Sequence, residues 1–131
     1  MATPFEIDPT DCSPIAREDT FLHTVYAFRG RCFPCHFIGS MYGPAEAPRW
    51  IDGSDVCGPS SLTSMNNLFE LDARDPGVLD FDDPEMSLLL RKPLAEDAGG
   101  VVHGGHDKFA DQTDTAYVSF LSWIEYEAGC R

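Results

Sequence analysis

A chain of 131 residues, 43% hydrophobic and 11% aromatic, is ordinary for a globular protein and sized for one domain, 1–131. Its formal charge of −13, spread over much of the chain, argues against nucleic acid and anionic membrane as partners, since both need a basic footprint. No run approaches the roughly 18 apolar residues of a membrane span, and ten prolines and eleven glycines predict short helices, long loops and a modest core that a staple, metal or cofactor would support.

Residues 1–13, rich in Pro and Asp, read as an extended lead-in. No signal peptide is visible, and Met1-Ala2-Thr3-Pro4 reads as a start methionine standing where a leader was removed. Ser13-Pro14 predicts a helix start, with Ser as N-cap and Pro at the first position. Phe21, Leu22, Val25 and Tyr26 then recur at helical spacing, and Gly30 predicts the end. Cys32-Phe33-Pro34-Cys35-His36 follows at once. Residues 37–82 are punctuated by Gly and Pro, with a short helical piece expected over 60–68. In 82–93, Asp83 is expected to cap, Pro84 to open, Leu88 to Leu90 to face inward and Pro93 to stop a helix. A glycine-rich loop carrying His103 and His106 precedes a last amphipathic helix marked by Tyr117, Phe120, Leu121 and Ile124, with Gly129 at its end and Cys130 beyond. No repeat and no convincing strand is visible, so the expected class is all-α.

A CxxCH run is expected by chance about 0.006 times in a chain with five cysteines and four histidines, so it is informative. Three chemistries compete for it. A thioredoxin-like redox pair needs a strand before CxxC and a helix after it, whereas a helix precedes it here and a loop follows. A zinc site needs two more ligands at suitable spacing; Cys57, His103 and His106 could be recruited, but no second CxxC or HxxxH is present. Covalent haem needs only what is there. Both thiols add to the haem vinyl groups as thioethers, and His36 reaches the iron from the proximal side. A haem would also supply a large apolar disc for loops to wrap.

The order of helix, CxxCH, Pro/Gly-rich middle and closing aromatic helix resembles class I c-type cytochromes. More narrowly, "SLLLRKPL", "GGVVHGG" and "AYVSFLSWI" are similar to a group of bacterial monohaem cytochrome domains, which carry an S-LL-KP helix, an HGG loop and a Y--FL-WI helix after CxxCH. The likeness covers about residues 18–130; CxxCH is its specific part. It implies a cytochrome c-like fold of few helices and long loops around one covalently bound haem c. It also implies that the first and last helices cross, so that Phe21, Leu22, Val25 and Tyr26 meet Tyr117, Phe120, Leu121 and Ile124. Attachment of this kind is made outside the cytoplasm, so a periplasmic or cell-surface location is implied.

The iron needs a sixth ligand from sulfur or imidazole. Met41 lies five residues from His36, too near to cross to the other face. His23, on the first helix, reads as solvent-facing, and Met65 falls in the irregular middle. Met86 is the alternative ligand; otherwise it reads as a core methionine. His103 stands between Val102 and two glycines, which let backbone approach a haem plane closely. It lies about 20 residues before Trp123. Many class I cytochromes place the ligand methionine there, and the resembled group places its HGG histidine there, so His103 is the expected distal ligand and His106 the third choice. The bland reading of His103 is a loop histidine holding a propionate or a turn.

These residues predict a six-coordinate electron carrier rather than an enzyme, with redox partner proteins and no membrane span. Its potential should be lower than that of a His/Met iron. A haem sensor or peroxidase-like domain with an open or Met-ligated iron, and a zinc-binding interaction domain without haem, are the alternatives. Arg29, Arg31, Arg49, Lys92 and the Trp50 indole are candidate partners for haem propionates. Of the three remaining cysteines, Cys12–Cys130 and Cys57–Cys130 are competing disulfides in an oxidising compartment. Sequence leaves the oligomeric state open.

Overall fold

The computed structural model describes residues 5–33, 35–41, 43, 47–53, 60–100 and 108–131. Helix α1 runs Pro14–Thr24. Ser13 caps it by accepting from the Ala16 N–H at 3.2 Å, and Pro14 opens it where a missing N–H costs nothing. It ends at Thr24, not near Gly30; the chain then tightens into a 3₁₀ helix, Tyr26–Cys32. The side chains explain the change of pitch. Thr20 and Thr24 hydroxyls bond back to Ala16 O and Thr20 O, which loosens a helix. Thr24 O is itself taken by Ser119 Oγ at 2.7 Å, and Phe28 N–H turns to Val25 O.

Helix α2, Ser60–Arg74, is longer than the piece expected over 60–68. Its buried side mixes Met65, Leu68 and Leu71 with Ser60, Ser61 and Ser64, so its apolar period is diluted. Ser64 pairs internally, donating to Ser60 O at 2.8 Å and accepting from Asp52 N–H at 2.9 Å. The predicted 82–93 helix is two pieces, a 3₁₀ turn Pro84–Met86 and helix α3, Leu88–Arg91. Asp83 stands at the cap position but makes no side-chain cap bond. Asp80 does the local work, accepting from Asp82 and Asp83 N–H, while its own N–H bonds Ser87 Oγ. Leu90 is fully buried; Leu88 and Leu89 are half-buried. Helix α4, Thr115–Gly129, is capped by Asp114, which accepts from Ala116 N–H at 2.9 Å.

Helix α1 packs on both α2 and α4. Phe21, Val25 and Tyr26 share one buried cluster with Tyr117, Phe120 and Ile124, and Leu121 packs at its edge. Leu22 departs from expectation: it is 38% exposed, and Trp123 fills the interior instead, edge-on to Phe21 at 5.1 Å and tilted against Phe69. Buried Glu127 on α4 takes a two-pronged bond from Arg17 on α1, 2.6 Å at its shortest. The lead-in is tied to the other terminus by the Cys12–Cys130 disulfide and by Tyr126 Oη donating to Asp11 O at 2.6 Å. Among the described residues there is no strand, only the parallel bridges Phe37–Ile51 and Leu94–Phe109, so the class is all-α. None of the described helices is long and apolar enough to cross a membrane.

Candidate cofactor anchor

The 3₁₀ helix delivers Cys32 at its last position, and His36 N–H closes a turn onto Cys32 O at 3.2 Å. Past His36 the chain is zipped to residues 48–52. His36 O accepts from Trp50 and Ile51 N–H at 3.1 and 2.9 Å, and Ile38 N–H bonds Ile51 O at 2.8 Å. The ring is fixed by the same segment, with His36 Nδ1 2.7 Å from Pro48 O. A carbonyl only accepts, so Nδ1 carries the proton and the lone pair lies on Nε2. Residues 48–52 are held in turn by α2 and the 3₁₀ helix: Asn67 Nδ2 donates to Trp50 O, and Tyr26 Oη donates to Asp52 O at 2.7 Å. Two layers of hydrogen bonds thus orient one imidazole, the arrangement typical of a metal-ligating histidine.

Cys32 and Cys35 are both free thiols. Cys32 is half-buried against the core. Burial pushes its thiol up to about 11, against the pull of nearby Lys108 and Arg31. In the metal-free chain a thiol so held is mostly protonated at neutral pH. Gly43, at φ +84°, lies against Cys35; a Cβ there would sit 2.6 Å from the Cys35 sulfur.

The anchor also touches the base of the glycine-rich loop. Arg31, the neighbour of Cys32, donates from Nη1 to Asp114 Oδ1 at 2.5 Å and to Lys108 O at 3.2 Å. Burial raises the Asp114 carboxyl, but the Ala116 N–H and Arg31 outweigh it and hold the group below its usual range. Lys108 and Phe109 N–H both bond Pro93 O, and Ala95 N–H returns to Phe109 O, so residues 93–95 and 108–109 form a closed neck. Gly100 tightens this neck, because its Cα faces the Leu94 backbone where no Cβ could stand.

His103, the expected distal ligand, lies outside the described residues, as do His106 and Cys57. Met86 ends the 3₁₀ turn and is 47% exposed, so it is not the core methionine of the bland reading. Met65 is a buried core residue of α2, and Met41 is 93% exposed. His23 faces out as expected, stacked on Phe5 and bonded to Asp19 O. Of the propionate candidates, Arg31 is engaged as above, Arg29 lies over the Tyr26 ring, Lys92 is exposed and Trp50 is buried. Among the described residues no group of three His, Cys, Asp or Glu is placed to hold a metal.

Sequence reading missed the 48–52 segment that orients His36, because a bond to a backbone carbonyl leaves no side-chain signature. It also missed the Arg31 clamp, for which the only hint was an arginine beside the motif in an acidic chain. No protein-family model, no curated protein and no solved structure matches the chain.

Proposed function

We propose that this chain is a monohaem c-type cytochrome, cytochrome c-like in fold, that carries single electrons between redox partner proteins outside the cytoplasm. The observation that carries this reading is the His36 Nδ1 to Pro48 O bond at 2.7 Å, which puts the lone pair on Nε2 of the histidine that closes CxxCH. The other residues fit the group. Cys32 and Cys35 are free thiols within one turn of that histidine, and the Cys12–Cys130 disulfide suits the oxidising compartment where such attachment is made. When bound, haem c supplies reversible one-electron chemistry at iron. The chain's part is to bind the group through Cys32 and Cys35, to orient His36 through residues 48–52, and to exclude water with the aromatic core. His103 is proposed as the distal ligand, with Met86 the alternative.

Two measurements test the proposal. Protein matured in a host that attaches haem should be red, and its haem should stay with the chain after denaturation and acid–acetone extraction. A colourless chain that binds zinc instead would sink the reading. In the red protein, His103→Ala should turn a low-spin spectrum high-spin; an unchanged spectrum removes His103 as ligand. Carbon monoxide binding to reduced wild-type protein would support the sensor or enzyme alternative instead.

A further inference from the structure

His36 Nδ1 lies 2.7 Å from Pro48 O, so the strength of that bond depends on how firmly residue 48 is held. Packing gives it little support. Pro48 is exposed, and beside it opens a groove of about 600 Å³ lined also by Ile38, Trp50, Asn67 and Leu71. The restraint comes from further along the segment. Trp50 and Ile51 N–H both bond His36 O, which fixes the register of the segment along the histidine. Three side chains then tie the segment to its neighbours. Asn67 on α2 donates to Trp50 O at 3.3 Å, Ser64 Oγ accepts from Asp52 N–H at 2.9 Å, and Tyr26 Oη donates to Asp52 O at 2.7 Å. Trp50 and Tyr26 are buried, and Ile51 and Ser64 fully so, which shelters these bonds from water and makes each one costly to lose. Gly53 ends the segment against the Phe37 ring, where a Cβ would come within 2.6 Å.

We propose that Tyr26 and Asn67 are positioning residues for His36: through the Asp52 and Trp50 carbonyls they hold Pro48 O against Nδ1–H and so set the basicity of Nε2. Each acts through the backbone of 48–52 rather than on the ring. The proposal rests on the haem reading for what the histidine serves, but not for how the histidine is held. A firm bond from Nδ1–H to a carbonyl makes a ligating imidazole more electron-rich, which favours the oxidised iron and a low potential. A loosened bond lets the Nε2–H tautomer compete in the haem-free chain and raises the potential of the matured one. Both donors are single side-chain groups bonded to backbone, so each can be deleted without breaking the bonds from Trp50 and Ile51 to His36 O.

The test deletes each donor and reads His36 in the haem-free chain. Tyr26→Phe keeps the buried ring under Arg29 and removes only the hydroxyl; Asn67→Leu keeps the volume and removes the donor. Tyr126→Phe is the matched control, since it removes a hydroxyl that donates to Asp11 O. With 15N-labelled histidine at pH about 8, where imidazole is neutral, the NMR shifts of the two ring nitrogens give the tautomer ratio. His36 should be the Nδ1–H tautomer in the wild type. Tyr26→Phe and Asn67→Leu should each raise the Nε2–H share roughly fivefold, while Tyr126→Phe leaves it unchanged at a comparable loss of thermal stability. In the matured protein the same two variants should raise the midpoint potential and the control should not. Circular dichroism checks folding, and either variant alone decides where the other fails to fold. An unchanged tautomer ratio in a folded variant, an equal change in Tyr126→Phe, or a potential that moves in neither variant would overturn the proposal. A chain that takes up no haem yet shows the tautomer shift would count against the haem reading and leave the positioning of His36 standing.

Discussion

His36 is held by a bond that only its protonated Nδ1 can make, and burial shifts the Cys32 thiol toward its neutral form. The second fact gives a pH dependence. In the haem-free chain the folded Cys32 thiol titrates near 11, above its ordinary value of 9.0, so the folded state binds more proton between those values. Stability from this group is fully present below about 9 and is lost as pH rises toward 11. Alkaline unfolding of the colourless chain should show that loss, and Cys32→Ala should remove it. If Cys32 is thioether-linked as proposed, the titrating proton is gone and the matured protein should lack that loss as well. Gly43→Ala is a second residue-scale prediction. It would set a Cβ against Cys35 at φ +84°, at a cost of about 1–3 kcal/mol in a denaturant melt and with a lower yield of attached haem.

Between elements, the decisive contact is Arg17 of α1 with fully buried Glu127 of α4. The bond to Glu127 strengthens the arginine's hold on its proton. Removing the arginine strands a buried carboxylate, so Arg17→Ala should cost about 3 kcal/mol, the low end for such pairs because Arg17 is part-exposed. Arg17→Met with Glu127→Leu should be nearly neutral by the same melt, since both desolvation costs vanish together. The element boundaries show where local signals stop. Ser13-Pro14 marks its helix start because a cap is local chemistry, whereas Asp83, expected to cap in the same way, makes no side-chain cap bond. The early end of α1 was hidden, because it depends on Ser119, 95 residues away, taking Thr24 O.

Across the whole molecule the lead-in and the last helix are joined by Cys12–Cys130, which lie 118 positions apart. Closing so long a loop removes much of the unfolded chain's freedom, so Cys12→Ala with Cys130→Ala should lower stability by about 2–5 kcal/mol in thermal or denaturant unfolding. Reduction of the wild type should reproduce the shift. A shift below about 1 kcal/mol would mean that Tyr126 and the Arg17–Glu127 pair already hold the ends together.

The chain by itself determined the all-α class, the Ser13-Pro14 start of α1, the aromatic faces of α1 and α4, and CxxCH as the place to look. Each of these is written in residue type and short spacing. Tertiary structure decided what spacing cannot carry. It chose Cys130 as the partner of Cys12, turned Leu22 outward in favour of Trp123, and left Met86 half-exposed. Above all it brought Pro48 O to His36 Nδ1. A backbone carbonyl is common to every residue, so only the folded path of 48–52 along α2 could reveal which one would orient the histidine.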